Sequence, residues 1–178
     1  MAAYNSKGPA TILRLDLNHF GAFKEILKVN DHVGAVLSDA NLIFLMNWDS
    51  KRIYQYDQSK KLATSSTAGT GWQYQDCKHV ARGYAICSAL KGHFFSDGAI
   101  QLLHFSSTTP FAIKIVHEVK IDNFYNDGSR GGRRLLTTNA VDFAPILDAA
   151  SKRIIGIRFY FVVHDDDEST LMIFDSSV

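Results

Sequence analysis

The sequence predicts an all-β chain, built of four-stranded antiparallel blades that form a partial β-propeller of about three blades. Three observations predict it. Short runs rich in β-branched and aromatic residues recur along the 178 residues, punctuated by Asp, Asn, Gly and Ser. Apolar residues at helical spacing are scarce, and the best helix candidate, Phe143 to Lys152 (FAPILDAASK), contains Pro145 and turn-formers, so it reads as a strand end plus a turn. The strands also fall into similar units at a period of about 40 to 50 residues, which is the period of propeller blades.

The elements follow in order. TILRLDL and FKEILKV, residues 11–17 and 23–29, alternate apolar and polar positions as half-buried strands do. GAVLSD (34–39), LIFLMNW (42–48), RIYQYDQ (52–58) and KLATSS (61–66) form the next group, separated by turns rich in Asp, Asn and Ser. YQDCKHV (74–80), YAICSAL (84–90), AIQLLHF (99–105) and FAIKIVHEV (111–119) form the third. NAVDFAPIL (139–147), RIIGIRFYFVV (153–163) and STLMIFD (169–175) form the last. The blade-like units are thus about 10–30, 31–66, 74–120 and 137–176, within one domain spanning 1–178. The step from Asp31 to Asp76 is 45 residues and that from Asp76 to Asn139 is 63, the excess lying in the loop that carries SRGGRR.

Counted this way the units hold two, four, four and three strands, whereas closed propellers have four to eight blades. The expectation is a half-propeller that pairs with itself, needs a missing half, or is a truncated product, because open edge strands invite pairing with another chain.

Bulk properties exclude several function classes. Hydrophobic residues make up 46% of the chain, enough for a core, and 19 basic residues balance 18 acidic ones. No global field therefore draws the chain to nucleic acid or anionic lipid. The basic cluster SRGGRR, 129–134, lacks the strand-to-helix context of a phosphate loop and reads as a solvated loop. No apolar run is long enough for a membrane span, the longest being broken by Arg158. The start of the sequence shows no secretory leader, so a cytoplasmic location is the default expectation.

Strand alternation sends the loop that leads into each blade, and the loop between its second and third strands, to one end. That rim gathers Asp31, His32, Asp76, Asn139, Asn47, Trp48 and His164. Asp76 and Asn139 have the oxygen chemistry of a divalent-ion site, with calcium the fitting ion. His32 and His164 are the candidate general bases beside such an ion, and Trp48 the candidate wall of a ligand pocket. The competing reading is that Asp, Asn and His at strand starts cap turns through bonds to neighbouring backbone. HDDDE, 164–168, lacks the glycine spacing of a calcium loop and reads as solvated.

Cys77 and Cys87 lie symmetrically about Arg82, so a hairpin turning there sets them opposite one another. In an oxidising compartment they can form a disulfide; in the cytoplasm the default is two buried thiols. Two cysteines supply only half of a zinc site.

Several stretches resemble a known family: DHVG (31–34), NWDSKRIY (47–54), YQDC (74–77), ICS (86–88), TTN (137–139) and FYFVVHDDDESTLMIFD (159–175). They are similar to uncharacterised bacterial and fungal proteins of six-bladed β-propeller type, in order and spacing from about residue 10 onward. The resemblance implies the C-terminal half of such a protein, beginning inside a blade, in a family that is often secreted. It carries no general activity.

The functional expectation is a small-molecule-binding propeller. Metal-assisted lactone or ester chemistry at the rim predicts bound calcium. Cyclisation or isomerisation in secondary metabolism predicts an apolar pocket without metal. The alternative, a non-catalytic binding or assembly module, predicts an exposed apolar patch at one edge, and a truncated paralogue is a further alternative.

Overall fold

The computed structural model describes residues 2–3, 9–16, 18–19, 21–48, 50–59, 62–66, 71–91, 97–106, 111–120, 137–164 and 169–177. HDDDE beyond His164 and the SRGGRR cluster lie outside the described residues. Among those described the regular structure is all β, in four antiparallel sheets met one after another along the chain.

The first sheet holds β1 (Ala2–Ala3), β2 (Ala10–Leu15) and β3 (Phe23–Val29). The second holds β4 (Val33–Asp39), β5 (Leu42–Asn47), β6 (Ile53–Asp57) and β7 (Leu62–Ser66). The third holds β8 (Gln73–Ala81), β9 (Tyr84–Lys91), β10 (Asp97–Phe105) and β11 (Ile113–Lys120). The fourth holds β12 (Thr137–Leu147), β13 (Ile154–His164) and β14 (Ser169–Ser177). Every sheet is a simple meander, and the leading strands β4, β8 and β12 pack side by side, as the inner strands of propeller blades do. The strand count differs from the sequence reading in the first sheet, where Ala2 and Ala3 pair with Ile12 and Thr11.

Tight turns set the hairpins. Ala40 adopts a positive φ of 51° in the two-residue turn between β4 and β5, and Gly83 takes 74° in the turn between β8 and β9. Left-handed backbone matches the twist of the flanking strands in such turns, and glycine adopts it without steric cost.

Bulges recur at one place. Gly34 in β4, Gln75 in β8 and Asn139 in β12 are each skipped in the pairing with the following strand. These bulges are the structurally equivalent points of the three sheets, and their steps, from 34 to 75 and from 75 to 139, are 41 and 64 residues. Asp76 and Asn139, aligned in the sequence reading, are therefore offset by one residue. A one-residue offset on a strand sends a side chain to the opposite face.

Two interfaces between sheets differ sharply. The second and third sheets enclose a continuous core of fifteen buried side chains, with Phe44, Met46 and Ile53 meeting Tyr74, Leu103 and Phe105. The rings of Phe44 and Phe105 lie 4.8 Å apart. Between the third and fourth sheets the buried cluster among the described residues is Ile86, Ile100 and Val141, flanked by partly buried phenylalanines and Met172.

Candidate functional site

The predicted rim is assembled in part. His32 and Trp48 come together, with ring centroids 5.8 Å apart and the Trp48 N–H donating to the His32 carbonyl at 2.6 Å. Gln73 at the start of β8 donates its side-chain amide to the Trp48 carbonyl at 2.9 Å, tying the loop after β5 to the next sheet. Beside them Lys91 stands over the Trp72 ring at 5.5 Å. Asn47, at the end of β5, is buried at 2% exposure, and neither its amide nitrogen nor its amide oxygen has a partner among the described residues.

Asp76 takes a different part from the one its chemistry suggested. One carboxylate oxygen accepts from the Cys77 backbone N–H at 2.9 Å. The other accepts from the Val141 N–H of β12 at 3.3 Å and lies 3.7 Å from the Lys78 ammonium. Its own N–H donates to the Ser88 hydroxyl at 3.0 Å. The carboxylate thus bridges two inner strands. Asp31 accepts from the His32 N–H at 2.8 Å, the local turn-capping arrangement.

Asn139 and His164 sit on neighbouring strands at one end of the fourth sheet, since His164 pairs with Thr137, but their side chains lie outside the described residues. Among the described residues no group of three or more His, Cys, Asp or Glu side chains could hold a metal ion.

Cys77 and Cys87 are directly opposed and joined as a disulfide, with Cα atoms 4.1 Å apart. The default reading of two thiols gives way to a covalent staple within the core shared by the second and third sheets. Gln101, fully buried, receives the Tyr74 hydroxyl at 2.9 Å and donates to Glu118 at 2.6 Å, a polar line from β8 to β11 that satisfies a buried amide.

An apolar concave feature lies elsewhere, between the third and fourth sheets. The two sheets meet along their inner strands at Asp76 and Val141, and their outer strands β11 and β14 line a cleft of about 520 Å³. One wall is aliphatic: Val80, Ile86, Ile100, Leu102 and Val119, with His117 as its one ring. The facing wall is largely aromatic: Phe143, Phe159, Phe161 and Phe174, with Ile157 and Met172. Phe159 and Phe161 are parallel to within 6° at 6.2 Å, and Phe161 meets Phe174 at 5.7 Å. On the opposite face of the fourth sheet, Asp175 is held by Nε and Nη2 of a bidentate Arg158, each at 2.7 Å. That guanidinium holds the Asp175 carboxyl below its ordinary value, first through the hydrogen bonds and then through its charge.

Alternation in FYFVV and LMIF put Phe159, Phe161, Met172 and Phe174 on one sheet face, a signal present in the sequence. That the facing sheet would cover them only in part had no local signal.

With the geometry in place, comparison with known proteins is informative chiefly at the level of family. A family profile described as a family of unknown function, DUF6454, matches residues 1–178. The chain belongs to the DUF6454 family. Comparison with curated proteins found no match. Among solved structures, this DUF6454 chain is similar to a chain in the S. cerevisiae complex of Dbp5 bound to Nup159, Gle1, IP6 and ADP, with TM-score 0.43 and 10% identity, covering 98% of this chain and 46% of that one. The N-terminal domain of Nup159 gives 0.42 and 10%, covering 98% and 47%. The WD40 β-propeller domain of Doa1 gives 0.41 and 8%, covering 99% and 78%. The chain spans about half the length of the first two.

Proposed function

We propose that this protein is a binding module for a small apolar molecule held in the cleft between the third and fourth sheets. The observation that carries the reading is the cleft itself: about 520 Å³, walled by two apolar sheet faces. Ligand sites of soluble proteins are concave, mostly apolar and roughly 300 to 1,000 Å³ in volume, with few polar groups. Transfer of apolar surface out of water supplies the driving force, at about 25 cal/mol per Å². The rim at His32 and Trp48 is less suited to this role, because Asp76, its proposed ion ligand, already has both oxygens engaged by Cys77, Val141 and Lys78.

Titration with Nile red, a neutral dye that brightens in apolar surroundings, tests the proposal. Saturable binding at one dye per chain is expected, and Val119→Trp, which narrows the cleft from its exposed outer wall, removes it while the melting temperature stays within a few degrees. Binding that does not saturate, or that survives in the tryptophan variant, overturns it.

A further inference from the structure

We infer that the ligand is a neutral, flat aromatic ring system bearing one oxygen that hydrogen-bonds to His117; the inference rests on the cleft being the binding site. Shape comes first. A space between two sheet faces is a slot, and its fourth-sheet wall presents Phe143, Phe159, Phe161 and Phe174, two of them parallel to within 6°. Aromatic rings pair best with other rings in offset or edge-to-face arrangements, gaining energy beyond that of buried area. The opposite wall offers only aliphatic branches and His117, against which a flat face packs without a directional demand. A planar ring system thus meets both walls, whereas a flexible chain loses rotamer entropy to fit a flat slot.

Charge comes second. No lysine or arginine is among the described lining residues, and Asp175 borders the cleft only through its strand, its carboxylate pairing with Arg158 on the opposite face of the sheet. An anion would gain no counter-charge from the described lining residues, so fatty acids and other carboxylates are disfavoured. A cation would likewise meet no carboxylate from the described lining residues, so desolvation disfavours either sign of charge.

The polar anchor comes third. His117 lies on β11 opposite Leu102, exposed, with no hydrogen bond to any described residue. A neutral imidazole offers one N–H and one acceptor nitrogen, so it serves either a hydroxyl or a carbonyl on the guest. Anchoring one oxygen at the outer end leaves the ring system against the phenylalanines.

Three probes separate the possibilities: pyrene, 1-hydroxypyrene and cis-parinarate, titrated by fluorescence into the wild-type chain, His117→Leu, His117→Gln and Val119→Trp at neutral pH. The hydroxylated ring should bind roughly two- to tenfold more tightly than pyrene, the worth of one hydrogen bond. That advantage should vanish in His117→Leu and return in part in His117→Gln, while parinarate binds at least several-fold more weakly than pyrene. Equal affinity for the two ring compounds, an advantage that survives in His117→Leu, or preferred binding of parinarate overturns the inference. If pyrene binds saturably and Val119→Trp blocks it, the cleft stands as a site even when the His117 preference fails. If no probe saturates, both readings fall.

Discussion

Gly34 sits where β4 passes β8 so closely that a Cβ would collide with the Tyr74 carbonyl oxygen and press on the Trp48 ring. Because the obstacle is backbone, the strands must separate to admit even a methyl group. Gly34→Ala should therefore destabilise by about 1–3 kcal/mol, read from the midpoint of urea unfolding. Asp76 gives a second test. Its oxygens accept backbone N–H groups from its own strand and from the next sheet. Asp76→Ala leaves those donors unpaired and should cost about 1–3 kcal/mol, with faster hydrogen exchange at the Val141 amide. At this scale the sequence was half legible. The residue types DHVG and YQDC marked strand starts, but the bulges at Gly34 and Gln75 shift faces by one residue, and nothing local to those residues announces an unpaired position.

At the scale of the element, the β8–β9 hairpin is the most constrained piece. Its pairing of Cys77 with Cys87 was readable from their symmetry about the turn, although the turn itself spans Arg82 and Gly83, with Val80 bulged to restore the register. The staple closes a separation of ten residues. By loop-closure entropy that contributes about 2–3 kcal/mol, so the double substitution Cys77→Ala with Cys87→Ala should lower stability by that order. Bulging also explains surface apolar residues elsewhere: Val80, Val116 and Ile155 are each skipped by their partner strand and each exposed. The β13–β14 pair adds a pH dependence. Arg158 lowers the Asp175 pKa from its ordinary 3.8, the Ser151 N–H and hydroxyl lower that of Asp148, and the Asn18 N–H with His19 lower that of Asp16. A carboxylate lowered by folding stabilises the native state above its ordinary value and loses that contribution as pH falls through the lowered one. The urea midpoint should thus decline below about pH 4, and because none of the three groups is buried the slope should be shallow and salt should flatten it.

For the whole molecule, the unequal interfaces set the order of opening. Fifteen buried side chains bind the second sheet to the third, whereas three join the third to the fourth. Amides of β12 to β14 should exchange sooner than those of β5, β9 and β10, and a bound probe should slow them selectively; uniform protection across all sheets would contradict this. The succession of antiparallel sheets was legible, since period-two alternation and turn residues act locally. Which sheets fill the space between them was not, because it depends on side-chain volumes from strands far apart in sequence.

The bridge between Asp76 and Val141 acts as a spine along which the last sheet is moored, with a small buried cluster beside it among the described residues. Such a cover is expected to swing without losing a strand. X-ray scattering should record a broader distribution of interatomic distances in the empty protein than in the filled one, while circular dichroism stays the same. A guest that packs between cover and page would then act as glue, making the outline of the particle itself a gauge of occupancy.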